Sequence, residues 1–390
     1  MYKFIDLFCG IGGFHQALSN LGCECVFASD IDNVCRKVYF GNYGIMPDGD
    51  ITKIDEHDIP EHDILCAGFP CQSFSKAGKR LGFEDKTRGT LFFEISRIIK
   101  FRKPSYIILE NVKNLVSHDN GNTWKIIHET LTDLGYAIWD TPCIFSPHYI
   151  GIPQHRERVF ICGVRNDITK QLPQFSFEHE NIKECSIDSV LLNDDEITNI
   201  EKYKLSSEYI KWIDNWNLFV QNIKCDKLPS FPIWTEYLNN DNVNFDGMPE
   251  WKKKIIIKNK KLFSLNTEFI EDWLKVAKES RLFYGAKSKF EWQAGVNETK
   301  PDLWKTIMQI RPSGLRVKQG TYFPALVAIT QTSIIGKCKR YITPRECARL
   351  QSFPDSFICD EDDKNAYRQF GNAVNVKVVE LFAKFLLNIK

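Results

Sequence analysis

Short apolar runs alternate with helix-like segments from the N-terminus to about residue 165, and this alternation constrains the fold more than any other feature. The runs are Phe4–Phe8, Cys25–Ala28, Ile64–Ala67, Tyr106–Leu109 and Val159–Val164. Strands separated by helices form mainly parallel sheets with helices on both faces. The sequence therefore predicts an α/β fold with a doubly wound, mainly parallel sheet.

Glycine and polar residues follow these runs. Gly10–Gly13 comes after the first run, Ser29–Asp32 after the second, Gly68–Cys71 after the third and Glu110–Asn111 after the fourth. In doubly wound sheets, ligands bind outside the carboxyl ends of the strands. We therefore expect these residues to share one site.

The alternation ends near Arg165, and Trp, Asn, Lys and aromatic residues dominate from there to Thr330. Regular patterns return after Arg340: Thr343–Glu346 is typical of a helix N-terminus, and Asn375–Leu387 of an amphipathic helix. We predict a cofactor-binding and catalytic domain at 1–170, completed by a C-terminal helix at 365–390. A smaller second domain is predicted at 171–364.

The net charge of +1, from 51 Lys and Arg against 50 Asp and Glu, at first argues against a nucleic-acid binder. Along the chain the charge is uneven: 166–250 has 7 basic and 16 acidic residues, and 251–330 has 16 basic and 7 acidic residues. The basic run Trp251–Lys261 surrounds a predicted apolar strand and suits phosphate contacts, although a solvated strand face is an alternative. We predict that any nucleic-acid partner faces 251–330 and that 166–250 mostly turns away from it.

Thirteen cysteines, an odd number without a Cys-x-x-Cys pair, indicate a reduced chain with no cysteine zinc site. Asp6 and the glycine cluster interrupt the apolar run that a secretory signal needs. No apolar stretch approaches the ~18 residues of a membrane span. We therefore expect a cytoplasmic protein that does not associate with membranes.

The glycine turn after the first apolar run suits close approach of a cofactor. Its spacing is Gly10-x-Gly12-Gly13, not the Gly-x-Gly-x-x-Gly that a dinucleotide pyrophosphate requires. Asp6 lies nearby, and Asp30 ends the next strand, where a carboxylate can accept ribose hydroxyls. The spacing favours a nucleoside-type cofactor such as S-adenosylmethionine over a nicotinamide dinucleotide; a purely structural turn is an equal alternative.

Three further motifs contain reactive residue types. Cys71 lies in a loop after a strand, Glu110 ends a buried strand, and Arg156 and Arg158 precede another strand two positions apart. A buried carboxyl is costly unless it is used or paired, and residues two apart in a strand point to the same side. Taken singly, each has a plainer explanation, either a small core cysteine or a salt bridge at a sheet edge.

Together and in this order, the motifs closely resemble those of the DNA (cytosine-5)-methyltransferases of bacterial restriction–modification systems. The resemblance covers 1–165 and 340–390. It implies an enzyme that transfers a methyl group from S-adenosylmethionine to carbon 5 of cytosine in duplex DNA and releases S-adenosylhomocysteine. The matching motifs are Asp6-Leu-Phe-Cys-Gly-Ile-Gly-Gly13, Pro70-Cys71-Gln72, Glu110-Asn111-Val112, Gln154-His-Arg-Glu-Arg158, Arg340–Pro354 and Gln369-Phe-Gly-Asn-Ala-Val374.

The resemblance also assigns residues to the cofactor. Asp30 would hold the ribose, Ile31 one face of the adenine and Asp50 its amino group. Ile31 stands where the family often has an aromatic residue, and Ala373 where it often has serine. The full implied set is Asp6, Phe8, Gly10, Gly12, Gly13, Asp30, Ile31, Asp50, Ile51, Pro70, Leu91 and Asn372.

The implied chemistry needs no metal. Cys71 would add to carbon 6 of cytosine, because carbon 5 becomes nucleophilic only after such an addition. Glu110 would bond to N3 and the exocyclic amine, and Arg158 would stabilise the oxygen at carbon 2. Arg156 would hold a neighbouring phosphate.

Because the target carbon is inaccessible in a duplex, the base must be flipped out. A loop at 72–83 is expected to close over it, although a plain solvent loop has a similar composition. In 166–330 only 3 of 23 basic residues are arginine. Because arginine can bind guanine through two hydrogen bonds, we predict that the turn between Arg311 and Arg316 reads bases. The DNA contacts expected overall are Gln72, Ser75, Lys76, Arg311 and Arg316.

The implied partners are double-stranded DNA and, functionally, a cognate restriction endonuclease, and the enzyme is expected to act as a monomer on bacterial DNA. Three alternatives stay open: an RNA cytosine methyltransferase of the same architecture, a non-catalytic DNA-binding regulator, and a nicotinamide-dependent oxidoreductase. The intact Cys71, Glu110 and Arg158 argue against the regulator, and the glycine spacing argues against the oxidoreductase.

Overall fold

The computed structural model describes residues 1–70, 91–175, 177, 185–225, 227–240, 242–279, 282–295, 301–328 and 332–389. The chain divides into two compact units. The first contains Met1–Cys185, Ala325–Ile329 and Pro344–Lys390, and the second contains Ser186–Pro324 and Thr330–Thr343.

The helices and strands alternate through the first part of the chain, leave that pattern in the second unit, and end in three helices that belong to the first unit. In chain order they are β1 (Lys3–Leu7), α1 (Gly13–Asn20), β2 (Glu24–Ser29), α2 (Asn33–Tyr43), β3 (Ile64–Gly68), α3 (Leu91–Arg102), β4 (Tyr106–Val112), α4 (Asn122–Asp133), β5 (Tyr136–Ile138), β6 (Cys143–Phe145), β7 (Gln154–His155), β8 (Arg158–Arg165), α5 (Ser207–Asn222), β9 (Ile233–Trp234), α6 (Glu250–Ser264), α7 (Thr267–Glu279), β10 (Lys289–Gln293), β11 (Ile307–Arg311), β12 (Gly314–Lys318), β13 (Phe323–Pro324), β14 (Ser333–Ile335), β15 (Arg340–Tyr341), α8 (Pro344–Leu350), α9 (Asp363–Asn372) and α10 (Val376–Leu387).

The sheet of the first unit has the strand order β2-β1-β3-β4-β8-β5, and β6 also pairs with β8. Strands β1 to β4 are mutually parallel, whereas β8 runs antiparallel to β4, β5 and β6. Because of this reversal, β8 begins at the edge where β4 ends, and Arg158 pairs in register with Val112. The carboxyl ends of four strands and the start of a fifth thus share one edge.

Helices cover both faces of this sheet. Ile5 and Leu7 of β1 belong to a core that includes Phe92 of α3 and Ile127 of α4. On the other side, Phe160 of β8 stacks on a phenylalanine of α10, Phe382, with 4.4 Å between the ring centroids. The predicted doubly wound, mainly parallel α/β fold is therefore confirmed.

The segment 344–364, which the sequence analysis assigned to the second domain, groups with the first unit. The end of helix α8 is tied to the C-terminal helices by hydrogen bonds from side-chain amides to backbone carbonyls. The side-chain amide of Gln351 donates to the carbonyl of Phe370 at 2.8 Å, and that of Asn375 donates to the carbonyl of Leu350 at 2.9 Å.

The second unit contains a sheet with the order β15-β14-β11-β12-β10-β9, in which only the β10–β12 pair is parallel among the described strands. One face packs against Trp212 and Trp216 of α5 and Trp273 of α7. Alternate residues of the same strands carry polar groups, because successive side chains in a strand point to opposite faces. Glu291 of β10 and Gln309 of β11 each pair in register with Arg316 of β12, which lies between these two strands.

The basic run predicted as a strand is instead part of helix α6. The consecutive isoleucines at 255–257 suggested β-structure, but burial follows a helical repeat at Ile256, Asn259 and Leu262. The Asn259 side chain accepts from the Trp234 N–H at 2.9 Å, so this face is fixed against β9. Packing against the rest of the unit thus overrides the local β preference. Among the helices of the described part of the chain, none has the length and apolar content to cross a membrane.

Candidate active site

A cavity of about 430 Å³ lies at the carboxyl edge of the first unit's sheet. This volume falls within the range of small-molecule sites. Glu110, Arg156 and Arg158 line it together with most of the residues predicted to hold the cofactor. Those predicted cofactor residues are Phe8, Gly10, Gly13, Asp30, Ile31, Asp50, Ile51, Pro70, Leu91 and Asn372.

Asp30 fixes the glycine turn to the end of β2. One of its carboxylate oxygens accepts from the Gly10 N–H and the other from the Asp32 N–H, each at 2.8 Å. Burial raises the pKa of Asp30, and these two backbone donors act against that shift. Gly10 has a positive φ of 53°, and a Cβ there would meet no atom within 4 Å, so the turn leaves open space on the cavity side.

The cavity also has an apolar side chain, Ile31, and a further carboxylate, Asp50. The Ile31 side chain is 74% exposed although it lines the cavity. Asp50 accepts from the Thr52 hydroxyl at 2.8 Å and from its N–H at 3.1 Å, and these bonds lower the pKa of Asp50. An exposed apolar face next to an ionised carboxylate suits a purine that carries an amino group.

Two residues predicted as cofactor contacts, Asp6 and Gly12, do not line the cavity. Asp6 is fully buried within β1 near the backbone of His15, and burial raises the pKa of its carboxyl well above the usual range. The Gly12 carbonyl accepts from the Tyr43 hydroxyl at 3.0 Å.

Glu110 and Arg158 form an ion pair within the cavity. Glu110 Oε1 lies 3.1 Å from Arg158 Nε, and the two side chains are 11% and 18% exposed. Burial raises the pKa of Glu110, and the charges of Arg158 and Arg156 oppose this shift. The carboxyl can therefore exchange a proton nearer to neutral pH than an ordinary glutamate.

Arg156 makes a different set of contacts from those predicted. Its side chain is almost fully buried, and it donates to the carbonyls of Leu326 at 2.7 Å and of Gly371 and Ala373 at 3.0 Å each. These bonds hold two later segments of the first unit against the start of β8. The geometry favours a structural role over the phosphate contact predicted for Arg156.

Asn111 is a residue to which the sequence analysis gave no role. Its side-chain amide donates to the Phe69 carbonyl at 2.8 Å, and its own oxygen accepts from the Val112 N–H. The bond fixes the chain two residues before Cys71. The sequence signal that could have revealed this role is the position of Asn111 within the Glu110-Asn111-Val112 motif.

The predicted nucleophile and loop contacts lie outside the described residues; they are Cys71, Gln72, Ser75 and Lys76.

The predicted base-reading arginines lie on adjacent strands of the second unit. Arg316 Nε donates to Glu291 Oε2 at 2.7 Å, and Arg311 donates to Gln309 at 2.9 Å. Within the described residues, the two terminal amines of Arg316 have no partner. Burial, together with neighbouring arginine charge, lowers the pKa of Arg311 and of Lys318. The cluster formed by Glu291, Arg311, Arg316 and Lys318 has three basic side chains and one acidic side chain, so its net charge is positive.

A doubly wound sheet with a glycine turn, a cavity of about 430 Å³ at its carboxyl edge and a buried acid–arginine pair defines the class of S-adenosylmethionine-dependent methyltransferases. The chain belongs to the C-5 cytosine-specific DNA methylase family, whose model matches residues 2–388. Type II methyltransferase M.HhaI of Haemophilus parahaemolyticus is 32% identical, over 98% of this chain and 93% of the relative. Type II methyltransferase M.MspI of Moraxella sp is 47% identical, over 98% of this chain and 70% of the relative.

Solved structures agree at the level of fold. A mutant of Spodoptera frugiperda DNMT2 has a TM-score of 0.56 at 21% identity, covering 99% of this chain and 100% of that chain. A DNA modification methyltransferase encoded within a prophage (E. coli) has a TM-score of 0.55 at 20% identity, covering 100% and 99%. The family model and the two Type II methyltransferases confirm the predicted family and enzyme class: this chain is a DNA (cytosine-5)-methyltransferase.

Proposed function

We propose that the enzyme methylates a cytosine that has rotated out of duplex DNA into the cavity, through a covalent bond between Cys71 and carbon 6 of the base. The observation that carries this proposal is the Glu110–Arg158 pair. It lines the same cavity as the glycine turn and Asp30. An acid and a cation for the base therefore stand beside the residues proposed for the cofactor.

The cavity residues fit S-adenosylmethionine. Gly10 leaves room for the backbone to approach it, Asp30 and Asp50 offer carboxylates to its hydroxyl and amino groups, and Ile31 offers an apolar face. The bound cofactor supplies an electrophilic methyl group on a positively charged sulfur.

The Cys71 thiolate forms a bond to carbon 6, and the electron pair displaced from the ring makes carbon 5 nucleophilic. Glu110 gives a proton to N3 as charge develops there, and Arg158 stabilises the oxygen at carbon 2. Once carbon 5 carries the methyl group, its proton passes to water or another base. The electron pair left at carbon 5 restores the ring double bond, and the bond between carbon 6 and the Cys71 sulfur breaks, so that Cys71 leaves as thiolate. N3 returns its proton to the Glu110 carboxylate, which restores the acid for the next turnover.

Burial prepares Glu110 for this role. Its raised pKa favours the protonated form that a donor to N3 requires, and Arg158 limits the shift so that the proton can still leave. The buried end of β4 thus provides the proton donor, and no step of the proposed reaction requires a metal.

We propose that the second unit recognises the target sequence. On helix α6, Lys254, Lys258 and Lys261 are exposed at positions that share one helix face, which suits contact with phosphates. Arg316 is anchored through Nε, which leaves its terminal amines for the O6 and N7 atoms of a guanine. These contacts would be joined by Gln72, Ser75 and Lys76 around the flipped base.

The biological setting follows from the same reasoning. A sequence-specific methyltransferase of this family protects host DNA when it is paired with a restriction endonuclease that cuts the same sequence. We propose this role, with a monomeric enzyme acting on DNA in the bacterial cytoplasm.

Mechanism-based trapping tests the covalent step. Duplex DNA that contains 5-fluorocytosine in place of cytosine should form a stable adduct in the presence of S-adenosylmethionine, because fluorine blocks removal of the group at carbon 5. The variant Cys71→Ser should form none, whereas Cys225→Ser, which alters an exposed cysteine of the second unit, should trap like the wild type. Trapping by Cys71→Ser would contradict the proposal.

Bisulfite sequencing of DNA from an expressing host tests the substrate and gives the recognition sequence. We expect methylation at one short motif, and RNA of the same sequence should accept no tritiated methyl group. Efficient transfer to RNA alone would refute DNA as substrate. Methylation without sequence preference would refute the recognition role of the second unit.

A further inference from the structure

The chain between β1 and α1 is held in a strained conformation. Within five positions, three residues have positive φ: Phe8 at 55°, Gly10 at 53° and Gly12 at 87°. This region is unfavourable for a bulky residue such as Phe8, and such strain persists only where surrounding contacts hold it. Asp30 holds one side of the turn through the Gly10 N–H.

Tyr43, the last residue of α2, holds the other side. Its hydroxyl donates to the Gly12 carbonyl at 3.0 Å, and a Cβ on Gly12 would lie 2.3 Å from its ring. The same carbonyl accepts from the Gln16 N–H at 2.9 Å, the first hydrogen bond of α1. No side chain caps the N-terminus of α1. The Gly12 carbonyl therefore provides the connection at this point, because it accepts both from Tyr43 and from the first turn of the helix.

His15 fixes the ring of Tyr43. The two rings are stacked, with centroids 3.9 Å apart and planes 15° apart. His15 Nδ1 also lies 2.6 Å from the hydroxyl of Tyr39, one helical turn before Tyr43. Burial lowers the pKa of His15 to about 4, so the imidazole is neutral at pH 7 and stacks without the cost of burying a charge.

We propose that Tyr43 is a positioning residue for S-adenosylmethionine, which holds the Gly10–Gly13 turn in its binding conformation while His15 holds the Tyr43 ring. Tyr43 does not line the cavity. It acts by fixing the turn before the ligand arrives, so that less conformational freedom is lost on binding. Nothing in the motif pattern of the sequence indicated this role.

Isothermal titration calorimetry of the full chain with S-adenosylhomocysteine tests the proposal. Tyr43→Phe keeps the ring and removes only the hydroxyl. It should raise the Kd roughly 3- to 10-fold, the effect of losing one neutral hydrogen bond. Tyr136→Phe is the matched control, because it removes a buried hydroxyl that donates to the Pro104 carbonyl and not to the turn, and its Kd should stay within about twofold of the wild type.

Steady-state kinetics provide a second measurement that a general loss of packing would not reproduce. The KM for S-adenosylmethionine should rise in Tyr43→Phe, whereas the KM for DNA should not change. An unchanged Kd in Tyr43→Phe, or an equal loss of affinity in Tyr136→Phe, would overturn the positioning role. A wild-type protein that fails to bind S-adenosylhomocysteine would overturn the cofactor site as well.

Discussion

Glu110 and Arg158 meet because β8 runs antiparallel to β4: the end of one strand and the start of the other place Oε1 and Nε 3.1 Å apart. Neither side chain is free to turn fully into solvent. The charge of Arg158 therefore acts directly on the pKa of Glu110, and the first two predictions test this effect.

Glu110→Gln should lower kcat about 100- to 10,000-fold, the usual contribution of a positioned general acid. Glutamine keeps the size of the side chain and a hydrogen bond to the base but cannot give a proton to N3. The Kd for S-adenosylhomocysteine, measured by calorimetry, should stay at the wild-type value. Near-normal single-turnover rates would show that N3 needs no proton from this residue.

Activity should fall on the alkaline side as Glu110 loses its proton. Burial raises the pKa of Glu110, so the protonated form persists to higher pH than in a free glutamate and the rate falls through that raised pKa. Arg158→Leu removes the nearest opposing charge and should raise the pKa further. In a plot of log kcat against pH, the alkaline limb of this slower variant should therefore move to higher pH; a shift to lower pH would contradict the assignment.

Arg156→Ala should destabilise the first unit by about 3 kcal/mol or more, because two buried carbonyls and one part-buried carbonyl lose their donor. Arg158→Ala is the matched comparison and should cost activity with a smaller loss of stability. Urea denaturation followed by tryptophan fluorescence measures both. If Arg156→Ala unfolds like the wild type and loses only DNA affinity, the phosphate contact predicted from the sequence is the better description.

The buried His15 should make the protein less stable in mild acid. Its pKa is about 4 in the folded chain and near 6.5 when unfolded, so the unfolded chain binds the proton more tightly. The stability that neutral His15 contributes is complete above the pKa of the unfolded chain and is lost as pH falls from about 6.5 towards 4. Between pH 7 and pH 5 the free energy of unfolding should fall by about 2 kcal/mol for this reason.

The variant His15→Asn does not titrate and isolates this effect. Its unfolding free energy should be lower than that of the wild type at pH 7, and the difference should narrow by pH 5. A constant difference between the two proteins at both pH values would show that His15 is not buried as a neutral ring.

The lysines of α6 should control the salt dependence of DNA binding. The triple variant Lys254→Gln, Lys258→Gln, Lys261→Gln should reduce the slope of log K against log salt by about 2 to 3, since each phosphate contact contributes about 0.9. The sequence preference should not change. Lys275→Gln with Lys278→Gln, on the exposed surface of α7, is the control and should leave the slope near its original value.

Much of the fold followed from local patterns. Apolar runs between helix-like segments predicted β1 to β4 within a few residues, and the Gly10-x-Gly12-Gly13 spacing favoured a nucleoside-type cofactor over a dinucleotide. These features depend on residues close together in the chain. In contrast, the run at 251–261 was predicted as a strand and is a helix, because packing of Ile256 and Leu262 decides between two local preferences.

The sequence by itself determined the family, the order of the motifs and the residue types that the chemistry requires. Only the tertiary structure decided which of these residues meet. It turned β8 so that Arg158 reaches Glu110, and it buried Arg156 among backbone carbonyls although both arginines stand in one motif. It also placed Tyr43 against Gly12. The physical reason is that chain spacing fixes the direction of a side chain only within one strand or helix, whereas contacts between elements depend on strand order and packing.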